Sequence, residues 1–126
     1  HYKFFLFSYD EFEHYGSVTN YIQVRAGQEP QLAEYIETYG PAVVSIDASN
    51  WSFQLYTEGI YDEPNCNPAK FNLDCSCVGF GVEGDTKYWI VRNSWGKSWG
   101  EEGYIRMSRN NYDQCGIADS PILVHT

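Results

Sequence analysis

The run Tyr88-Trp89-Ile90-Val91-Arg92-Asn93-Ser94-Trp95-Gly96, continued by Lys97-Ser98-Trp99-Gly100-Glu101, passes from a strand-like pattern into a loop. Its first residues are β-branched and aromatic, the chemistry that suits a pleated, half-buried surface. Gly96 and Gly100 then break the pattern. The near-repeat Ser94-Trp95-Gly96 and Ser98-Trp99-Gly100 is too short to be an architectural repeat and reads as a loop motif.

Further strand candidates flank this run. Cys75 to Val82 lies before it, across the Glu83-Gly84-Asp85 turn, and Tyr104 to Ser108 and Ile122 to Val124 lie after it. Upstream, Tyr61 to Asn72 is a turn-rich loop carrying Pro64, Cys66 and Pro68. Trp51 to Thr57 reads as a short helix that Ser49 or Asn50 can cap, and Ala42 to Ile46 as a mostly buried strand. Pro30 sits at a first helical position, with Leu32, Ala33, Ile36 and Tyr39 on one face, and Gly40-Pro41 stops that helix. Ser17 to Val24 suits a strand, whereas the aromatics Tyr2 to Tyr15 follow neither period. Helices first and strands later predict an α+β domain, or a small barrel with helices at its ends.

The 126 residues carry a formal charge of −9 and are 43% hydrophobic, so a packed core is expected and a nucleic-acid partner or anionic membrane starts with poor electrostatics. The apolar runs Phe4 to Phe7 and Tyr88 to Val91 fall far short of the roughly 20 residues a membrane span needs. The only methionine is Met107, and His1-Tyr2-Lys3 opens neither a signal nor a transit peptide, so an upstream segment is expected to be missing. Four cysteines in so short a chain favour an oxidising, secreted or lysosome-like compartment.

With Trp99-Gly100-Glu101, Gly103-Tyr104-Ile105 and Cys115-Gly116-Ile117, the Tyr88–Gly96 run resembles the C-terminal part of papain-family cysteine peptidases. Gly40-Pro41, Ser52-Phe53-Gln54-Leu55-Tyr56, Gly59-Ile60-Tyr61 and Asn72-Leu73-Asp74 match in the same order, so the resemblance covers the chain from about Val24 onward. It implies a papain-like fold, mainly the β-barrel-like domain with short helices: residues 23–126 as that domain, and residues 1–22 as the remnant of a helical domain that is largely missing. The family's nucleophilic cysteine belongs to the helical half. No cofactor and no metal are implied.

The family's chemistry needs a thiolate activated by an imidazole, and a third group that orients the ring. By its place in the motif, Asn93 is that third group. Its side-chain oxygen can accept the imidazole's second N–H without adding charge, under an indole lid such as Trp95. The plain alternative is that Asn93 merely ends a strand. The histidine departs from the pattern. In the family it follows the aspartate matched by Asp74, but here Asp74-Cys75-Ser76-Cys77-Val78-Gly79-Phe80-Gly81 is two residues shorter and lacks it. Removing two residues preserves strand alternation, so a barrel can persist without its base. His1, His14 and His125 match no catalytic position.

Cys75 and Cys77, two apart on a strand, are about 6.6 Å apart with parallel side chains, a poor disulfide geometry. The resemblance places a disulfide at Cys66 and Cys115. A Cys-x-Cys metal site lacks completing ligands. By resemblance Ser45, Leu73 and Ser120 line a pocket for an apolar substrate side chain, and Trp99 borders the leaving-group side. Asn50-Trp51-Ser52 fits the N-glycosylation pattern, but a helix-capping role for Asn50 is the expectation. Two functions compete: part of a cysteine endopeptidase, inactive as this chain stands, or a catalytically dead relative that binds a peptide, a protein partner, the missing helical half, a prodomain or an inhibitor.

Overall fold

The structure, a computed structural model, describes residues 4–6 and 20–125. His1, His14, most of the proposed helical remnant and the first three residues of the Ser17–Val24 strand lie outside the described residues. The elements run β1 (Phe4–Leu6), β2 (Asn20–Gln23), α1 (Glu29–Tyr39), β3 (Ala42–Ile46), α2 (Trp51–Gln54), β4 (Ile60–Tyr61), β5 (Leu73–Glu83), β6 (Thr86–Arg92), β7 (Tyr104–Ser108), a 3-10 turn (Gln114–Gly116) and β8 (Ile122–His125). The strands form one sheet in the order β2-β8-β3-β5-β6-β7-β4, with β1 paired to β5. The pairs are antiparallel except β4 with β7, which is parallel, so the sheet is mixed and curls like half a barrel.

Local chemistry explains most of these elements. Pro30 lies in the first turn of α1, and Leu32 and Ile36, one helical turn apart, are fully buried where the helix packs on β5 and β8. In β3 the alternation is clean: Ala42, Val44 and Ile46 are fully buried and Val43 is exposed. Trp89 and Val91 of β6, with Ile105 and Met107 of β7, complete the buried face. The turn at Glu83-Gly84-Asp85 joins β5 to β6 as the sequence suggests, with Gly84 at a φ of +62°.

Three details differ from expectation. Helix α2 ends at Gln54 rather than Thr57: the chain leaves the α pattern at Leu55, after which the Tyr56 N–H donates to the Phe53 carbonyl only three residues back. At its other end no side chain caps it: the Ser49 hydroxyl donates to Asp47 Oδ1 at 2.5 Å, and Asn50, although at the N-cap position, makes no capping bond. The capping role expected of Asn50 is therefore not fulfilled. Strand β5 is longer than Cys75–Val82 and carries a bulge, since Cys77 pairs with Val91 but Gly79 pairs with Ile90, leaving Val78 unmatched. Strand β4 is an added two-residue element whose second residue, Tyr61, opens the region read as loop.

Candidate functional site

Asn93 follows the last residue of β6, its N–H donating to the Gly103 carbonyl at 3.0 Å. Between these two residues the glycine-tryptophan loop folds back on itself, the Gly103 N–H donating to the Trp99 carbonyl at 2.8 Å and the Glu101 N–H to the Tyr104 carbonyl at 2.8 Å. Gly100 is required there: its φ is +62°, and a Cβ would lie 2.5 Å from the Tyr104 oxygen. The indoles anchor the loop from the other side. Trp99 is buried, donates from Nε1 to the Phe53 carbonyl at 3.2 Å, and meets Trp95 edge-on at 5.3 Å. Trp95 also packs edge-on against Phe53 and stays 42% exposed.

The Asn93 side chain is buried, and its amide is used in an unusual way. Oδ1 accepts from the Ser94 N–H at 2.7 Å, while Nδ2 is buried without a hydrogen-bond partner. Such an orphaned donor is a rare and costly feature of a folded chain.

Strand register sets what faces it. Ser76 pairs with Arg92 at the last rung of the β5–β6 ladder, and Cys75 and Asn93 are the next residues beyond that rung on the two chain segments. On its other side Cys75 pairs with Val44 of β3. A cleft of about 150 Å³ lies here, lined by Asp74, Cys75, Ser76, Arg92, Asn93 and neighbouring residues. The Cys75 thiol is pushed up to about 12, first by burial and then by the negative charge of Asp74. Cys77 is likewise free, buried and pushed up to about 12, chiefly by desolvation. Neither thiol is a nucleophile at physiological pH.

Of the other sequence-selected residues, Ser45 and Leu73 lie on neighbouring rungs of the β3–β5 ladder. Ser45, paired with Asp74, donates from Oγ to Asp74 Oδ1 at 2.7 Å. Leu73 pairs with the buried Ile46 and packs against the core. Ser120 is exposed in the turn before β8. His125 lies on β8, separated from β6 by β3 and β5. Cys66 and Cys115 form the disulfide that the resemblance implies, with an S–S length of 2.03 Å. Among the described residues no three His, Cys, Asp or Glu side chains converge as a metal would need, and no helix is long and apolar enough to cross a membrane.

Two buried carboxylates escaped the sequence reading. Glu29 Oε1 accepts from Trp89 Nε1 at 2.9 Å and from the Asn110 N–H at 3.0 Å, while Oε2 accepts from the Asp113 N–H at 3.2 Å. Asp47 accepts from the Ser49 N–H, the Ser49 hydroxyl, Asn72 Nδ2 and the Asn67 N–H. The only local signal was an acidic residue bordering an apolar strand or opening a helix.

A profile described as "Papain family cysteine protease" matches residues 7–125. The chain belongs to the papain family of cysteine proteases. Cathepsin L of Sarcophaga peregrina is 46% identical over 101 residues, covering 79% of this chain and 30% of that protein. Digestive cysteine proteinase 3 of Homarus americanus is 50% identical over 93 residues, 74% of this chain and 29% of that protein. The solved structure of the digestive procathepsin L2 proteinase from Tenebrio molitor larval midgut superposes with a TM-score of 0.83 at 34% identity, covering 94% of this chain and 38% of that one. This papain-family chain therefore spans about a third of the length of these relatives. The half-barrel sheet with its two short helices corresponds to the papain-like C-terminal domain.

Proposed function

We propose that this chain is the barrel-like part of a papain-like cysteine endopeptidase, residues 23–126 forming that domain and residues 1–22 the end of the helical one, and that the chain as it stands hydrolyses no peptide bond. The observation that carries the second half is Cys75. At the position following Asp74, where the family resemblance sets the imidazole, stands a buried thiol held un-ionised. It can neither take a proton from a nucleophile nor return one to a leaving amine.

Asn93 retains the position from which it would orient such a ring, and its Oδ1, turned onto the Ser94 N–H, supports the view that no ring competes for it. In the parent enzyme Ser45, Leu73 and Ser120 would contact the substrate side chain, Trp99 would border the leaving-group side, and Trp95 would shield the imidazole–amide bond from water. The substrate class is a peptide or protein, and the Cys66–Cys115 bond favours an oxidising secreted or lysosomal setting.

The purified chain, incubated with a fluorogenic dipeptide substrate and a thiol-directed active-site label, is expected to give no label-sensitive turnover. Turnover abolished by the label refutes the inactive reading.

A second reading, a non-catalytic peptide-binding module, is favoured by the unpartnered Asn93 Nδ2 beside a further cleft of about 460 Å³ that Asn93, Ser94, Lys97 and Tyr104 help to line. Calorimetric titration with the same peptide separates the two, since saturable heat without turnover supports the module.

A further inference from the structure

Asn50-Trp51-Ser52 is the only Asn-X-Ser/Thr sequence in the chain, and no hydrogen bond of the helix it precedes uses the asparagine side chain. Asn50 stands at the N-cap of α2 with extended backbone, φ −75° and ψ 143°, yet its side chain accepts no bond from the helix. Its Nδ2 is buried without any hydrogen-bond partner. Leaving a donor in that state is unfavourable, and the residue is itself only partly buried, so turning the amide outward removes a cost and breaks no bond. Beside it Trp51 is 74% exposed and Leu55 71% exposed, one helical turn apart and uncovered.

We propose that Asn50 is an N-glycosylation site, modified before the domain closes. A bond forms between Asn50 Nδ2 and the anomeric carbon of a lipid-pyrophosphate-linked oligosaccharide. The bond from that carbon to the pyrophosphate breaks, the lipid pyrophosphate leaves, and Nδ2 gives up one proton. The order follows from Ser52, whose hydroxyl a transferase must reach. Ser52 stays exposed in the fold, but its Oγ donates to Glu63 Oε1 at 2.5 Å and lies 2.8 Å from the Tyr61 hydroxyl, so the hydroxyl is already engaged once β4 has docked. With Nδ2 bonded to a sugar the amide must face solvent, where the apolar face of the first sugar can cover Trp51 and Leu55. The glycan thus takes over a surface that would otherwise remain exposed.

The full chain, translated behind a cleavable secretory leader into microsomes, tests this directly. Protease-protected chain is expected to gain the mass of one core oligosaccharide, removed by peptide-N-glycosidase and lost completely in Asn50→Gln. Ser52→Thr should raise the occupied fraction, as should a reductant that delays closure of Cys66–Cys115. Protected chain without glycan in both the natural sequence and Ser52→Thr overturns the proposal, as does glycan that persists in Asn50→Gln. Occupancy unchanged by the reductant overturns the ordering. None of these readouts depends on peptidase activity, so they stand or fall apart from the functional reading above.

Discussion

At the end of β3 the carboxylate of Asp47 is 2% exposed and carries the junction between that strand and the long loop after β4. Burial alone would raise its pKa, but donations from the Ser49 hydroxyl and the Asn67 and Ser49 N–H groups, joined by the Asn72 amide, outweigh that and hold it at about 2 against an ordinary 3.8. A carboxyl lowered on folding stabilises the native state above its unfolded pKa, and that contribution disappears as pH falls through the folded value. The difference corresponds to about 2 kcal/mol, fully present at pH 5 and above and lost between about pH 4 and pH 2. Glu63 and Glu101, also lowered, act in the same direction. Asp47→Asn keeps the shape but turns an NH2 toward the Asn67 N–H, so urea unfolding at pH 7 should show a loss of about 2 kcal/mol. The variant's stability should also fall less steeply between pH 4 and pH 2 than that of the natural sequence. Parallel acid-dependence curves would show that Asp47 is not the group responsible.

Strain and its restraint are set at the level of elements. The segment after β7 holds Asn110, Tyr112, Asp113 and Cys115 at φ values between 53° and 59°, a left-handed conformation that costs non-glycine residues about 1 kcal/mol or more each. Glu29, opening α1, binds the Asn110 and Asp113 N–H groups and so ties this strained segment to the helix and, through Trp89, to β6. Glu29→Gln replaces one acceptor by a donor and removes the charge from the other bonds. It is expected to cost about 1–3 kcal/mol, with amide hydrogen exchange accelerating first at Asn110 and Asp113 while the β5–β6 hairpin keeps its protection. Uniform acceleration across the sheet would contradict this local role. What the sequence made legible follows the same division between near and distant partners. Helix α1 was readable because Pro30 and Gly40-Pro41 mark its ends within a few residues, and β3 and β7 because alternation is local. Strand β4 was not, since two residues acquire strand form only by pairing with Arg106 and Met107. Of the candidate site, Asn93 is nominated by its motif alone, whereas Glu29 lies 60 residues from Trp89 and 84 from Asp113, and no window along the chain contains that contact.

Across the whole molecule, the Cys66–Cys115 disulfide holds together three regions that the sheet alone leaves loosely joined. It links residues 49 apart, fastening the loop before β5 to the 3-10 turn before β8. β3 reaches the same point, since the Asp47 N–H donates to the Cys115 carbonyl at 3.0 Å. Packing there is tight enough that a Cβ on Gly116 would lie 2.4 Å from the Pro68 oxygen. Closing a loop of this length in the unfolded chain removes entropy corresponding to about 4 kcal/mol, a large share of the total stability of a domain this small. The paired Cys66→Ala, Cys115→Ala variant should therefore lose about 2–5 kcal/mol in urea unfolding, and its m-value should rise, because an uncrosslinked unfolded chain exposes more surface. Reductant should move the natural protein toward the variant's midpoint and leave the variant unmoved, since Cys75 and Cys77 are already free thiols. A variant that unfolds at the natural midpoint would mean that sheet pairing and the Asp47 junction hold the loop without the covalent link, and the entropic argument would fail.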